Sequence, residues 1–301
     1  MRVFVTGATG YIGSAVVRDL LDGGHRVIGL ARSDASAEAL TSAGVDVHRG
    51  DIADLGSLRA AAERADAVIY AANQHISETT DSAARAQVEL AAVQAIGAEL
   101  ERTNKPFVVT SGVLGRTPGR LLTEDSPAVP NPITALRLPV EQSVLALAKR
   151  DVRASSVRLA PTVHGHGDTR GFISTLIGIA RSTGTSAFVG DGSNRWPSVH
   201  RLDAAVLFRL AMESAPAGTS LHAVAEEGVP FRDIAQAIGH LLNLPVVSLT
   251  AEEAGRHFAF LAPFVAIDSP ASNAWTRQRM GWSPTHPTLL ADIQEGHYFR
   301  E

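Results

Sequence analysis

Through its first 160 residues the chain alternates short, β-branched apolar runs with Ala-rich stretches of helical period. That beat is how a parallel sheet wrapped by crossover helices reads in sequence. The apolar runs predict strands over Val3 to Thr6, Arg26 to Ala31, Asp46 to His48, Ala67 to Ala71, Phe107 to Ser111 and Ala154 to Leu159. The stretches between them predict helices over Tyr11 to Asp22, Leu55 to Ala65, Ser82 to Arg102 and Ile133 to Lys149. Val68-Ile69-Tyr70 and Phe107-Val108-Val109 lack polar alternation, as expected of central strands covered on both faces. Beyond Ala160 the beat breaks into Pro- and Gly-punctuated segments, among them Gly165-His166-Gly167-Asp168 and Gly190-Asp191-Gly192. Such punctuation predicts a smaller region laid over the edge of the sheet.

Composition narrows the classes of function. The 301 residues contain no cysteine, which excludes disulfides and thiolate metal sites. A formal net charge of -4 disfavours a nucleic-acid surface, and no apolar run approaches the roughly 20 residues of a membrane span. The chain opens directly as a strand, without a basic segment followed by an apolar run, so the expected location is cytoplasmic. Small-molecule chemistry remains. The basic residues are almost all arginine, the lysines being Lys105 and Lys149 alone, and the tyrosines are Tyr11, Tyr70 and Tyr298.

Thr6-Gly7-Ala8-Thr9-Gly10-Tyr11-Ile12-Gly13 follows the first strand and opens the first helix. Gly7 permits the tight turn, Gly10 lets backbone approach a pyrophosphate, and Gly13 allows the helix to pack closely on the strand. Thr9, Tyr11 and Ile12 complete the loop that would face the phosphates. The strand, loop, helix and second strand occur where a dinucleotide fold requires them, and the fold class expected is a doubly wound α/β Rossmann sheet. Its domain is expected over residues 1–160, with later contributions from about 186–215, and residues 161–301 mainly form the substrate-binding region. The second strand ends Leu30-Ala31-Arg32-Ser33. Ala31 stands where a carboxylate would meet the ribose 2'-hydroxyl of NAD(H). Arg32 can pair bidentately with a 2'-phosphate, with Ser33 as a further donor, so the expected cofactor is NADP(H). Asp51-Ile52 is placed to meet the adenine, and Ala71-Ala72-Asn73 lies where ribose or pyrophosphate would pass.

The glycine loop, Gly50-Asp51-Ile52, Val109-Thr110-Ser111-Gly112, Arg158-Leu159-Ala160-Pro161-Thr162-Val163-His164-Gly165, Gly190-Asp191-Gly192, Val199-His200-Arg201-Leu202-Asp203 and Gly281-Trp282-Ser283-Pro284 occur in an order that resembles the extended short-chain dehydrogenases. That superfamily includes the NAD-dependent epimerase/dehydratase proteins, and the resemblance covers nearly the whole chain. It implies Tyr-x-x-x-Lys on the helix after the fifth strand, where the lysine lowers the phenol pKa and a Ser or Thr of that strand orients the substrate oxygen. No such pair exists here. The residues four beyond Tyr11 and Tyr70 are Ala15 and Gln74, and Tyr298 is too near the end. Counting on from Ser111 and matching the family glutamate to Glu141 puts Ile133 at the tyrosine position and Arg137 at the lysine position. Arg137 keeps a positive field beside the nicotinamide ribose and does not titrate near neutral pH.

Two readings stay open. In the first, the chain is an oxidoreductase whose proton arrives through another group, for which Thr110, Ser111, Thr134, His75 and His164 are the candidates. In the second, it is a non-catalytic NADP(H)-binding sensor. His164-Gly165-His166 is read as pocket lining and not as a metal pair. In sugar-nucleotide relatives the cap supplies basic residues to a diphosphate, a role open to Arg195, which could alternatively pair with Asp191. The run His257-Phe258-Ala259-Phe260-Leu261-Ala262-Pro263-Phe264 suits an apolar pocket wall or core packing. A small, largely apolar carbonyl or alcohol is therefore the expected substrate, with a sugar-nucleotide epimerase/dehydratase as the alternative. By resemblance, the helices at 82–102 and 133–149 are those that pair in a homodimer.

Overall fold

The computed structural model describes residues 1–72, 81–127 and 129–299. Asn73 and His75, two of the residues singled out above, lie outside them. Strands β1 (Arg2–Thr6), β2 (Arg26–Ala31), β3 (Asp46–Arg49), β4 (Ala67–Tyr70), β5 (Pro106–Gly112) and β6 (Arg153–Leu159) follow the apolar runs closely. They join the later strand Thr219–Ala223 in one seven-stranded sheet, and every pairing within it is parallel. Read from that later strand, the order is the seventh strand, β6, β5, β4, β1, β2, β3.

Because side chains alternate along a strand, the sheet feeds two cores. Val3, Val5 and Ile69 face one layer, formed by helices α1 (Tyr11–Asp22) and Arg201–Ser214. Phe4, Val68 and Tyr70 face the other. There α3 (Leu55–Glu63), α4 (Ser82–Leu100) and α5 (Leu138–Ala146) supply Leu58, Val93, Ile96 and Val144. Between α1 and α3, Asp34–Ser42 forms a helix, α2, that the apolar spacing alone does not announce. Ser33 caps it, accepting from the Ser36 N–H at 3.2 Å, and only Leu40 of its residues is fully buried.

Two boundaries differ from the sequence reading. The helix expected from Ile133 begins at Leu138, and residues 132–137 are turns. Pro139 explains the delay, since it has no N–H to bond back along a helix and is tolerated only in the first turn. The segment expected to return to the sheet at about 186–215 is also divided. Ser186–Val189 pairs with Val246–Leu249 in a separate two-stranded sheet, while Arg201–Ser214 and Thr219–Ala223 complete the Rossmann unit.

The remaining chain builds a cap with its own core, in which Trp196, Phe231, Ile234, Phe258 and Leu289 are buried together. Among the described residues no helix is long and apolar enough to cross a membrane.

Candidate functional site

The loop between β1 and α1 is shaped by contacts only glycine permits. Gly7 has φ +67°, and a Cβ there would lie 2.8 Å from the Ala71 carbonyl and from the Ala72 Cα. A Cβ on Gly13 would lie 2.0 Å from the Gly7 oxygen. Thr6 ties the loop to β4 by accepting from the Ala72 N–H at 3.1 Å. No side chain caps α1 at Gly10. By contrast, α2, α3 and α4 are capped by Ser33, Asp54 and Asp81. The first-turn N–H groups of α1 are thus left for an anion, with the helix dipole behind them. Thr9 and Gly10 are exposed beside them.

The other nucleotide positions sort by what their side chains already do. Tyr11 Oη donates to the Gly165 carbonyl at 2.9 Å, and its ring lies 5.0 Å beneath the Arg201 guanidinium, so only its backbone is available to a phosphate. Ile12, in the first turn of α1, packs on the core beneath that helix, and Ile52 on the opposite core. Arg32, with 76% of its side chain exposed, stands at the end of β2 with Nε 4.0 Å from Asp51. Ser33 is engaged as the α2 cap and shares a hydrogen bond with Ser36 Oγ. Ala71 and Ala72 are half-buried at the end of β4. The free N–H groups therefore fit an anion at the start of α1, and Arg32 stands exposed at the end of β2.

Beyond the carboxyl end of β5 lies a cleft of about 580 Å³. Ser111, Ile133 and Arg137 line one side, and Phe172, Pro263 and Phe264 of the cap close the other. Ile133 and Arg137 thus share the cleft with Ser111, although the segment carrying them is a turn and not a helix. Arg137 donates to the Thr110 carbonyl and to Glu89, each at 3.2 Å. Burial pushes the Glu89 carboxyl above its usual range, and Arg137 opposes that shift. Thr134 is buried in the same turn, where its hydroxyl accepts from the Asn131 N–H.

The two hydroxyls at the end of β5, Thr110 and Ser111, differ in their partners. Thr110 spends its hydroxyl proton on the Tyr70 carbonyl at 3.0 Å. Ser111 lines the cleft and accepts from Arg116 Nη2 at 2.9 Å. Arg116, which sequence reasoning did not single out, folds back over the end of β5, with Nε donating to the Gly112 carbonyl at 2.6 Å. Its Nη2 also donates to Glu141 at 2.5 Å, and Glu141 accepts from Ser156 Oγ at 2.7 Å and Arg158 Nε at 2.8 Å. Arg116, Glu141 and Arg158 are all at most 5% exposed. Burial alone would raise the Glu141 carboxyl, but Arg158 and Arg116 hold it below its ordinary value. Only the fold-back of residues 113–116 creates this contact, and no spacing rule reports it.

The network continues to His222, whose Nε2 accepts from Arg158 at 3.4 Å while Nδ1 donates to the Ser272 carbonyl at 2.7 Å. Burial, against the pull of Glu124, brings its pKa down to about 4. The unfolded chain takes up this proton near pH 6.5 and the folded chain only near 4, so stability present above pH 6.5 is lost as pH falls through that window. At pH 5 this group lowers the unfolding free energy by about 2 kcal/mol relative to pH 7. Urea denaturation at the two pH values checks it, because the drop should shrink by that amount in His222→Gln.

His164 does not line the cleft. It is 1% exposed, with Nδ1 3.1 Å from Asp292 and its ring 5.4 Å from that of His200. The His166 ring instead lies 5.5 Å from that of His297 and tilted to it, so the two histidines of the loop face different neighbours. His164 and His297 each bond one oxygen of Asp292, which satisfies this buried carboxylate within the protein. None of the three tyrosines reaches the cleft: Tyr70 is fully enclosed in the core, and Tyr298 Oη accepts from the Gly165 N–H.

Arg195, the residue offered to a diphosphate, is held bidentately by Asp268 at 2.9 and 2.8 Å. Its partner is not Asp191, which turns on Ser193. The aromatic run divides its tasks, with Phe258 and Leu261 buried in the cap core and Pro263 and Phe264 facing the cleft.

Residues 3–224 match the family model described as NAD dependent epimerase/dehydratase family. The chain belongs to that family. It is 45% identical over 301 residues to the protein C2A9.02 of Schizosaccharomyces pombe, covering 99% of this chain and all of that one. It is 29% identical to a 2-alkyl-3-oxoalkanoate reductase of Stenotrophomonas maltophilia, over 97% of this chain and 88% of that protein. Among solved structures, the dTDP-glucose 4,6-dehydratase DesIV of Streptomyces venezuelae, with NAD bound, superposes with a TM-score of 0.79 at 20% identity. That match spans 100% of this chain and 97% of DesIV, and it shares the doubly wound fold. The relatives include enzymes by name, and the uncapped helix and glycine loop here leave backbone N–H groups open to an anion.

Proposed function

We propose that this family member is an NADP(H)-dependent oxidoreductase acting on a small, largely apolar carbonyl or alcohol. The observation that carries the reading is the cleft at the end of β5, where Ser111 stands opposite Phe172, Pro263 and Phe264. A wall made mostly of apolar side chains, with Ser111, Arg116 and Arg137 among the polar groups that share it, suits an alkyl ketone better than a hydrated sugar diphosphate. Two further points support it. Arg195 is occupied by Asp268, and one relative is named for reduction of a 2-alkyl-3-oxoalkanoate. A bound nicotinamide supplies the hydride. Ser111 holds the substrate oxygen, Arg137 maintains positive charge beside Glu89, and the cap aromatics exclude water from the reacting carbon.

The purified protein is expected to oxidise NADPH in the presence of 2-alkyl-3-oxo acids or alkyl ketones and to leave UDP-glucose unchanged. Turnover of the sugar nucleotide alone would establish the epimerase/dehydratase reading instead. Tight NADPH binding without turnover of any carbonyl compound would establish the sensor.

The cofactor preference has its own check. Arg32→Ala should weaken NADPH by about 10- to 100-fold, as expected for loss of a charge-assisted pair worth about 1.5–3 kcal/mol, and leave NADH nearly unchanged. Fluorescence titration with both nucleotides reads this, and equal weakening of both would remove Arg32 from the 2'-phosphate.

A further inference from the structure

The cleft has lost its tyrosine, since Ile133 offers no proton and all three tyrosines lie elsewhere. What polar chemistry remains at the end of β5 is set by the direction of one hydrogen bond. A guanidinium has only N–H groups and no acceptor, so in the 2.9 Å contact Arg116 donates and Ser111 Oγ accepts. The hydroxyl proton of Ser111 is therefore free to point away from Arg116, and Ser111 opens on the cleft. Thr110 has no such freedom, because its proton is committed to the Tyr70 carbonyl.

Arg116 is itself held rigidly. Its Nε is fixed by the Gly112 carbonyl and its Nη2 by Glu141, which Ser156 and Arg158 lock in turn. A buried cation one hydrogen bond away favours the anionic form of a hydroxyl. The low dielectric strengthens that effect.

We propose that Arg116 is a positioning residue that makes Ser111 the hydrogen-bond and proton donor to the substrate carbonyl oxygen, in the place vacated by tyrosine. The inference rests on the carbonyl-reduction reading above. Hydride adds to the carbonyl carbon and the C=O π pair moves onto oxygen. The O–H bond of Ser111 breaks, its proton passes to that oxygen, and the product is the alcohol. The serine oxyanion left behind is stabilised by the Arg116 N–H, and once the alcohol has left it recovers a proton from water that replaces the product, releasing hydroxide to solvent.

The test is a four-protein cycle of wild type, Ser111→Ala, Arg116→Lys and the double variant. Each is assayed with NADPH and ethyl 2-methylacetoacetate and then studied by NMR of the carbonyl-¹³C ketone in the ternary complex with NADP⁺. Both single variants are expected to lose about 10²-fold in kcat, within the range for general acid assistance, with little change in KM. The double variant should be no slower than either single one, because Arg116 acts through Ser111. The carbonyl resonance should move downfield on binding to wild type and lose that shift in Ser111→Ala and in Arg116→Lys.

Should Arg116→Lys not fold, Arg116→Gln takes its place, and the Ser111→Ala resonance still tests the donor. Additive losses in kcat, or an unchanged carbonyl shift in Ser111→Ala, would overturn the proposal while leaving the carbonyl-reductase reading intact. Absence of both turnover and any bound-ketone resonance in wild type would overturn that reading and the proposal with it.

Discussion

Glu141→Gln is expected to lower the unfolding free energy by about 3–5 kcal/mol, the usual consequence of removing one partner from a buried ion cluster. The side chain keeps its shape but loses its charge, and Arg116 and Arg158 are then left facing each other at 5% exposure each. Three hydrogen bonds to a carboxylate, from Arg116, Arg158 and Ser156, are weakened together. For a chain of this size the melting temperature should fall by roughly 10 °C. Thermal and urea denaturation read the effect, and a fall of under 2 °C would mean that the two arginines do not depend on this carboxylate. Glu101→Gln is the comparison. Glu101 also pairs with an arginine, Arg150, at 2.6 Å, but the Arg150 side chain is 64% exposed. Solvent screens such a pair, and its loss should cost less than about 1 kcal/mol.

The second large effect is expected at Gly13. An added methyl would sit 2.0 Å from the Gly7 oxygen and 2.8 Å from the Gly7 carbon, both backbone atoms that no rotamer change can move aside. Gly13→Ala must therefore push the first turn of α1 away from the loop. Overpacking of this kind costs about 1–3 kcal/mol. In the proposed cofactor site the displaced N–H groups are those that receive the diphosphate, so NADPH affinity should fall about 10- to 100-fold, with a parallel loss of stability. Gly178→Ala serves as the control. Nothing lies within 4 Å of its added Cβ, and the residue sits inside the helix Phe172–Thr183. Alanine there should stabilise slightly and leave the titration unchanged. Equal affinity of Gly13→Ala and wild type would show that the loop tolerates the methyl without moving its donors.

These variants also separate the two ways in which the chain encodes its site. Gly13 is recognisable from sequence because its task is local: a strand, a tight turn and a helix follow one another within a dozen residues. The position of Arg32, one residue beyond the second strand and exposed, is local in the same way. Arg116 has no such signature. Its contact with Ser111 spans five residues, but it exists only because residues 113–116 turn back and because Glu141 and Arg158, from α5 and β6, wait in the interior. His164 illustrates the converse. The family resemblance, in which relatives often carry a tyrosine at this position on the edge of the cleft, implies a pocket residue, and the packing of Asp292 and His200 around it encloses the ring instead. Arg195 likewise took Asp268, from 73 residues further on, as its partner.

The amino-acid sequence by itself determined the parallel sheet, the glycine loop between its first strand and first helix, and the absence of a Tyr-x-x-x-Lys pair. Each of these depends on near neighbours in the chain or on a simple count of residues. Tertiary structure alone decided that Ser111 and not Thr110 faces the cleft, that Pro263 and Phe264 line it, and that the buried Arg116 donates to Ser111. Those outcomes follow from which groups meet across the fold, and no local pattern in the chain reports such meetings.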